Sequence, residues 1–364
     1  MTNCKIFRSN IVDEHFKKST FEDFDSIFSF NDSLIQSLLY WKNQIDHKKN
    51  WDILKKFTNK YELIFSISRE GVADFNPISR SYFKLIEILT DFHFYRTQEI
   101  KCACICEGPG GFVQAINDYA SINKIPLKPI ECISLLSSDK KVPDWKLGST
   151  TNYKIGYGSD GTGDIYKIQN IDHFCNSTGW NSCDVVTADG GFDFSQDFNS
   201  QEKSFLKMFF AEMYTCVRLQ KNNGICIIKC FDLFRKETIY IIAILMKLYS
   251  NVDFIKPNSS RPANSEKYVV GSGFRCDVLL IRKIRDLFIR ESYQFESIIS
   301  EFEFQKARRF VSLYNLTFVQ KQIQNIRDTL EITQNSFDPE LKNEQHRVAC
   351  IEWCNKYKIP IKKK

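Results

Sequence analysis

Hydrophobic positions in the middle of the chain alternate between short apolar runs and stretches with helical spacing. Seven apolar runs predict strands, at 102–106, 129–135, 183–188, 225–229, 252–255, 268–271 and 277–281. Apolar residues three and four positions apart predict helices between them, at 112–123, 205–219 and 237–249. Strands that alternate with helices indicate an α/β fold, in which helices cover both faces of a mostly parallel sheet.

The two ends of the chain have a different pattern. Residues 1–75 are rich in Phe, Asn, Lys and Asp, with a helix-like stretch at about 33–45. Helical spacing at 77–89 predicts a helix that starts at Asn76, and from about residue 292 the chain is helical and charged. We therefore expect three parts: an N-terminal segment at 1–75, an α/β domain at 76–285, and a C-terminal helical extension at 286–364 with a basic tail.

Composition sets limits on the class of protein. The 364 residues are 43% hydrophobic and 14% aromatic, enough for a large core, which argues against long disordered regions. The formal net charge is +6, from 50 basic and 44 acidic residues. This balance permits a local basic groove but does not by itself indicate nucleic-acid binding.

The thirteen cysteines lie mostly inside apolar runs. No signal-peptide pattern is visible, and the apolar stretch at 239–245 is too short to span a bilayer. We therefore expect reduced, buried thiols in an intracellular protein, with nucleus and cytoplasm both open. His346, Cys350 and Cys354 fall on one helix face, but structural zinc takes four ligands and no fourth is evident. Core packing is the favoured interpretation and zinc the alternative.

A glycine-rich segment, Glu107-Gly-Pro-Gly-Gly-Phe112, stands between a predicted strand and a predicted helix. Glycines at the carboxyl end of a strand let the backbone approach a nucleotide-like ligand closely. A nicotinamide loop would have GxGxxG spacing and an acid after the second strand, whereas here that strand ends in Ser134-Leu135. The alternative is a tight turn that binds nothing.

Three further polar positions occur at the predicted ends of strands. Asp189 follows one strand and precedes two glycines, Lys229 ends a strongly apolar strand, and Glu266 precedes another strand. A buried ammonium is unfavourable unless it is paired or neutralised. Taken singly, each has a plain structural explanation: a helix cap, a snorkelling lysine or a solvated acid.

Together, these motifs resemble the FtsJ/RrmJ-like RNA 2′-O-methyltransferases, and most of all the cap-specific mRNA (nucleoside-2′-O-)-methyltransferases of eukaryotes and large DNA viruses. That family has a Lys-Asp-Lys-Glu tetrad. The resemblance places it on Lys84 (in Arg80-Ser-Tyr-Phe-Lys-Leu-Ile-Glu87), on Asp189, on Lys229 (in Ile228-Lys-Cys-Phe-Asp232) and on Glu266 (in Ser260-Arg-Pro-Ala-Asn-Ser-Glu266). We call these four residues the tetrad.

The resemblance also implies the fold and the cofactor. The fold would be the Rossmann-like S-adenosylmethionine-dependent methyltransferase fold, with a seven-stranded sheet and helical additions at both ends. S-adenosylmethionine would bind at Asp189, at Asp164 beside the adenine, and along the glycine loop, which comprises Glu107, Gly108, Pro109, Gly110, Gly111 and Phe112. The acid that commonly binds the cofactor ribose after the second strand is missing here.

The chemistry of the implied reaction suits these residues. A 2′-hydroxyl is a poor nucleophile until a base takes its proton, and Lys229 can be that base only if its pKa falls from about 10.4. Burial and the second cation, Lys84, are expected to lower that pKa. Asp189 would raise it but would orient the amine, while Glu266 would hold Lys84. No metal is required.

The implied substrate is capped RNA, methylated on the ribose of its first transcribed nucleotide. By resemblance, Asn264 and Arg261 are candidates for cap contacts, and Lys55 and Lys56 are candidates for phosphate contacts, although a solvated helix face explains the lysines equally well. The segment 1–75 is a candidate cap- or RNA-binding region, and other capping or transcription proteins are candidate partners. The alternatives are an enzyme for the second cap nucleotide or ribosomal RNA, or an inactive RNA-binding subunit.

Overall fold

The computed structural model describes residues 6–9, 22–65, 71–94, 98–139, 141–149, 151–191, 200–332 and 339–362. One mixed sheet forms its centre. Its eight strands are β1 (Ile6–Arg8), β2 (Cys102–Ile105), β3 (Ile130–Ile133), β4 (Tyr153–Gly156), β5 (Cys183–Ala188), β6 (Gln220–Cys230), β7 (Tyr249–Ile255) and β8 (Lys267–Phe274). Their order across the sheet is β1-β7-β8-β6-β5-β2-β3-β4.

The sheet has a parallel part and an antiparallel part. Strands β4, β3, β2, β5 and β6 are parallel neighbours, whereas β8 pairs antiparallel with both β6 and β7. The expected mostly parallel sheet is confirmed, but it has eight strands rather than seven. Strand β1 is additional to the expected seven-stranded sheet and lies at its edge, where it pairs antiparallel with β7, with Ile6 opposite Ile255. A three-residue strand is too short to show alternation in sequence.

Ten helices surround the sheet in the described part of the chain. They are α1 (Glu22–Ile45), α2 (Trp51–Phe57), α3 (Ser81–Asp91), α4 (Gly111–Ile122), α5 (Ile168–Thr178), α6 (Gln201–Leu219), α7 (Lys236–Leu248), α8 (Val278–Ile289), α9 (Glu301–Leu330) and α10 (Pro339–Lys356). The helix predicted to start at Asn76 begins later, at Ser81, and the helical character expected after residue 292 is confirmed.

Alternation along the strands divides the hydrophobic core into two layers. In β2, Ala103 and Ile105 belong to the layer that contains α5, α6, α7, α8 and α9, and Cys102 and Cys104 belong to the layer that contains α3, α4 and α10. Successive side chains of a strand point to opposite faces, so a strand that is apolar at every position is buried on both. The helices on both faces thus hold the sheet rigidly beneath the site at its edge.

The C-terminal helix α10 packs against α3. The Trp353 indole Nε1 donates a hydrogen bond to Glu87 Oε2 at 3.2 Å, and the Tyr357 hydroxyl lies 3.1 Å from a carboxylate oxygen of Asp91. The Trp353 ring also meets the Phe83 ring edge-on, with 5.7 Å between their centroids. Helix α3, which carries Lys84, is therefore fixed in place by residues near the other end of the chain.

One predicted strand is wrong. Residues 277–281 begin helix α8, because the Asp277 side chain caps it by accepting a hydrogen bond from Leu280 N at 2.9 Å. Val278 and Leu279 are exposed, whereas Leu280 and Ile281 face the core, which is helical rather than strand periodicity. A short apolar run cannot by itself distinguish the two structures. The edge strand β4 and helix α5 were not predicted.

The cysteines that the structure describes are free thiols. His346, Cys350 and Cys354 are buried on α10, and both cysteines belong to the core layer that contains α3 and α4, so their predicted core packing is confirmed. Within the described ranges, no group of three His, Cys, Asp or Glu side chains is arranged to hold a metal ion. No described helix combines the length and apolarity needed to cross a membrane. Of the basic tail, Lys363 and Lys364 lie outside the described residues.

Candidate active site

Strand register brings three polar residues to one edge of the sheet. Strands β5 and β6 are parallel, with Ala188 opposite Ile228, so Asp189 and Lys229 leave the sheet side by side. Strands β6 and β8 are antiparallel, with Lys229 opposite Tyr268, which places Glu266 next to them. The carboxyl edge of an open α/β sheet is where such folds bind ligands. We call the space above this edge the cleft.

The tetrad forms two ion pairs in the cleft. Lys229 Nζ lies 3.4 Å from Asp189 Oδ1 and 3.3 Å from the Asp189 carbonyl oxygen. Lys84 Nζ, on α3, lies 2.7 Å from Glu266 Oε1. The side chains of all four residues are between 11% and 14% exposed, so each pair is largely shielded from water and still open to the cleft. The structure thus brings together the four predicted residues, while their roles stay predictions.

Neighbouring side chains fix the two carboxylates of the tetrad. The Tyr268 hydroxyl donates a hydrogen bond to Asp189 Oδ1 at 2.9 Å, and the Ser260 hydroxyl lies 2.9 Å from Glu266 Oε1. Lys256 Nζ donates to the Glu266 carbonyl oxygen at 2.7 Å. Sequence reasoning assigned no role to Tyr268 or Lys256. The pairing of β6 with β8 identifies Tyr268, because that register sets it directly opposite Lys229.

The charge balance of the cleft corrects one expectation. Burial lowers the pKa of Lys229, but the carboxylates of Asp189, Glu266 and Glu212 outweigh that effect, so its pKa lies above the ordinary value for lysine. The expected fall in the pKa of Lys229 is therefore wrong. Lys84, which is itself paired with Glu266 at 2.7 Å, does not offset these three carboxylates.

For Glu266, nearby charges outweigh burial in the opposite direction and lower the pKa of its own carboxyl. Burial raises the pKa of its carboxyl, but the nearby cations Lys84, Lys229 and Lys256 outweigh burial and hold the pKa well below its usual range. A carboxylate surrounded by ammonium groups stays ionised because each cation favours its charged form. Glu266 is therefore an anion throughout the physiological pH range and can keep Lys84 in a fixed position.

The glycine loop lies at the carboxyl end of β2, beside the tetrad. Gly110 adopts a φ of 117°, which L side chains rarely adopt, and a Cβ atom there would clash with Leu147. Glu107 is buried at the base of the loop, and its Oε1 accepts a hydrogen bond from the Thr187 hydroxyl at 2.8 Å. Glu107 Oε2 is buried without a hydrogen-bond partner among the described residues. The loop thus offers a close backbone turn and a buried carboxyl oxygen that has no hydrogen-bond partner within the described ranges.

Asp164 follows β4 in a loop that packs against the end of β3. Its Oδ1 accepts a hydrogen bond from Tyr166 N at 2.9 Å, and a Cβ atom at Gly163 would clash with the Ser134 carbonyl oxygen. The loops after β2, β3 and β4 are therefore neighbours at the same edge of the sheet. This arrangement brings Asp164 and the glycine loop to one side of the cleft.

The predicted cap contacts divide into two groups. Lys55, Arg261 and Asn264 line one cavity of about 110 Å³ next to the tetrad, together with Trp51, whereas Lys56 is exposed and does not line it. All three have partners in the protein: Lys55 forms an ion pair with Asp52, and Asn264 Oδ1 accepts a hydrogen bond from Lys256 Nζ at 2.7 Å.

The third residue, Arg261, is held by a carboxylate. Its Nε and Nη2 donate to the two carboxylate oxygens of Glu62, at 3.0 and 2.7 Å. Sequence reasoning did not identify Glu62 or Trp51. Trp51 could have been identified from the sequence because it stands close to Lys55 and Lys56. An aromatic ring beside cations is typical of nucleic-acid-binding sites, since nucleobases stack on aromatic rings.

The chain is similar to proteins of one known family. The profile of the FtsJ-like methyltransferase family matches residues 77–274, which include the whole tetrad. A Trypanosoma brucei brucei protein described as cap-specific mRNA (nucleoside-2′-O-)-methyltransferase 1 is 35% identical over 173 residues, which are 47% of this chain and 46% of that protein. A Leishmania braziliensis protein of the same description is 30% identical, over 59% of this chain and 53% of that protein.

A viral protein is also similar. The cap-specific mRNA (nucleoside-2′-O-)-methyltransferase of Autographa californica nuclear polyhedrosis virus is 30% identical over 60% of this chain and 79% of the viral protein. The chain spans about half the length of the two trypanosomatid relatives that it matches.

Proposed function

The chain belongs to the FtsJ-like methyltransferase family, and we propose that it methylates the ribose 2′-hydroxyl of the first transcribed nucleotide in capped mRNA. The observation that carries this proposal is the tetrad itself: two lysines and two carboxylates from separate elements meet in one cleft, joined as the pairs Lys84–Glu266 and Lys229–Asp189. The names of the curated relatives support the capped substrate.

S-adenosylmethionine is the methyl donor that membership of this family implies. It supplies a methyl group on a cationic sulfur and carries an ammonium group as well. The glycine loop fits such a ligand, because Glu107 Oε2 is a buried carboxyl oxygen without a partner in the described structure, and a cation bound beside it would oppose the burial that raises its pKa. Glu107, Gly110 and Asp164 are the residues proposed to hold it.

In the proposed mechanism, Lys229 removes the proton from the 2′-hydroxyl as the methyl group is transferred. Asp189 holds the amine in position, and Tyr268 holds Asp189. Any cation bound in the cleft lowers the pKa of Lys229 and so favours the neutral amine that a base requires. Base catalysis of this kind is typically worth about 10²–10⁴-fold, and alignment of the reacting atoms about 7–11 kcal/mol.

The cap would be recognised beside the tetrad. The cavity lined by Trp51, Lys55, Arg261 and Asn264 combines an aromatic ring, which can stack on a base, with cations that can pair with the triphosphate bridge. Lys56 is a weaker candidate because it lies outside this cavity. Other capping or transcription proteins stay candidate partners.

The test is transfer of a radiolabelled methyl group to capped and uncapped RNA of identical sequence, followed by nuclease mapping. We expect label on the ribose of the first transcribed nucleotide of capped RNA alone. Equal rates on both RNAs would contradict the cap specificity, and label on the second nucleotide or on ribosomal RNA would favour the corresponding alternative. Absence of transfer to all of them would favour the inactive RNA-binding subunit.

A further inference from the structure

Helix α6 carries a carboxyl directly beneath the turn that follows Asp189. Glu212 is fully buried, and its Oε1 accepts a hydrogen bond from the backbone N–H of Gly190 at 2.8 Å. Its Oε2 is also buried and has no hydrogen-bond partner among the described residues. Leaving a polar oxygen unpaired in the interior is costly, so this carboxyl requires an explanation.

The two glycines after Asp189 show how closely the turn is held. A Cβ atom at Gly190 would clash with Glu212 Oε1, and one at Gly191 would lie 3.0 Å from Lys229 Nζ. Glu212 therefore occupies the space below the turn, and Lys229 occupies the space on its other side. A single turn of backbone connects the buried carboxyl to the ammonium group proposed as the base.

The surroundings of Glu212 contain one cation. The titratable groups that face it from neighbouring elements or from its own helix are Cys106, Glu107, Tyr166, Asp189, Cys216, Lys229 and Cys230. Of these described groups, Lys229 alone carries positive charge. Burial raises the pKa of Glu212 to about 8, against the lowering effect of the Gly190 hydrogen bond and of Lys229, and ionised Glu212 raises the pKa of Lys229 in turn.

We propose that Glu212 is a positioning residue for methyl transfer: it fixes the Asp189–Gly191 turn through the Gly190 amide, and its charge controls how readily Lys229 releases a proton. This proposal rests on the proposed function, because it assumes that Lys229 is the base. Glu212 is buried and touches neither solvent nor the cleft, so it acts only through the turn and through Lys229.

The proposal makes the ionisation of two groups interdependent. As the pH rises and Glu212 ionises, its negative charge favours the protonated form of Lys229 and delays formation of the neutral amine. The rate of methyl transfer should therefore rise with pH over a wider range than it would if Lys229 lost its proton independently of Glu212. A neutral side chain at this position should let Lys229 lose its proton at lower pH.

The experiment is a pH–rate profile of single-turnover methyl transfer for the full chain and for Glu212→Gln, which keeps an acceptor for the Gly190 amide and removes the charge. We expect the half-maximal rate to move to lower pH by about one unit, with little change in KM for RNA. The matched control is Glu202→Gln on the same helix, whose carboxyl is also buried but accepts hydrogen bonds from Phe234 N and Arg235 N. Its profile should match that of the unmodified protein.

The outcomes separate the two proposals. If Glu212→Gln transfers methyl groups with an unshifted profile, Glu212 has a structural role only and this inference is overturned. If Glu212→Gln does not fold, the unmodified protein still decides: a log rate that rises with a slope of one throughout about pH 7–9 contradicts the interdependence of the two groups. If the unmodified protein transfers no methyl group, the proposed function itself fails.

Discussion

The two sides of the cleft contain buried carboxyl groups with opposite ionisation. On the β8 side, the pKa of Glu266 lies well below its usual range, because Lys84, Lys229 and Lys256 outweigh the effect of burial. On the β2 and β5 side, the pKa values of Glu107 and Glu212 are raised, with burial as the largest cause. All three carboxyls are buried, with exposed fractions of 8% for Glu266, 3% for Glu107 and 0% for Glu212, so burial alone does not explain the difference.

The number of nearby cations accounts for the difference in pKa between these carboxyls. Glu266 is in contact with one ammonium group and close to two others, whereas Glu212 has only Lys229 nearby among the described residues. Burial penalises every charge, and a partner of opposite sign decides whether the charge persists. The β8 side of the cleft, proposed for the acceptor ribose, therefore contains an ionised carboxylate, Glu266. On the β2 and β5 side, the carboxyls of Glu107 and Glu212 hold their protons more tightly.

The largest expected effect is on the rate of methyl transfer, when Lys229, the cation next to the carboxyls of both sides, is replaced. Lys229→Ala removes the proposed base and also the cation nearest to Glu212, so methyl transfer should fall by at least about 10²–10⁴-fold while cofactor and RNA binding persist. Single-turnover transfer and equilibrium binding measure the two quantities. Lys221→Ala is the matched control, since Lys221 lies on the same strand but pairs with Asp184 at 3.0 Å. Normal transfer by Lys229→Ala would contradict the mechanism.

A smaller effect is expected when Glu266 loses its closest cation. Lys84→Met leaves a buried carboxylate without that partner, which typically costs about 3–5 kcal/mol of stability, and the pKa of Glu266 should rise. Chemical denaturation measures the loss. Adding Glu266→Gln should restore part of the stability, because the uncompensated charge is gone. No recovery in the double variant would show that the pair is not what stabilises this side of the cleft.

A third prediction extends the comparison to another buried carboxyl. Burial raises the pKa of Glu202 from 4.5 to about 7, so between these values the folded protein keeps a proton that the unfolded chain loses. Stability should therefore decline as the pH rises through this window. Glu202→Gln should remove that decline, which in the unmodified protein amounts to up to about 3 kcal/mol of unfolding free energy between pH 4.5 and pH 7. Denaturation curves at several pH values test it, and parallel pH dependence in both proteins would contradict it.

The smallest effect concerns the hydrogen bond that fixes Asp189. Tyr268→Phe removes a hydroxyl that donates to Asp189 Oδ1, which should cost about 1 kcal/mol of stability and less than about tenfold in rate, because Lys229 still pairs with the carboxylate. Thermal unfolding and single-turnover transfer measure these changes. A rate loss as large as that of Lys229→Ala would mean that Tyr268 takes part in the proton transfer directly.

Three tetrad residues could be noticed from residue patterns because they stand at the ends of strongly apolar strands, but their joint role and the choice of Lys84 came from the family resemblance. Parallel pairing of β5 with β6 brings Asp189 and Lys229 to one edge, and antiparallel pairing of β8 with β6 brings Glu266 to the same edge. Tyr268 required the register of β6 against β8, which depends on long-range pairing. The pKa of Lys229 was predicted with the wrong sign, because a pattern shows burial but not the distances to Asp189, Glu266 and Glu212.

Elements at the margins of the fold were harder to predict for a related reason. Strand β4 is short and partly exposed, and β1 has three residues, so neither has a recognisable hydrophobic period. Residues 277–281 form an apolar run that suits either a strand or a helix, and the hydrogen bond from Leu280 N to Asp277 decides for the helix.

The contact between α10 and α3 also has a consequence for folding during synthesis of the chain. Trp353 and Glu87 are 266 positions apart, so the ribosome has added all the intervening residues before the indole can meet its partner. At about 5–20 residues per second, that interval is roughly 10–50 s. During this time α3 has left the ribosome without the helix that packs on it. Helix α3, with Lys84, therefore gains this packing only after residue 353 has been added, and a nascent chain stalled before Trp353 should hold α3 less firmly.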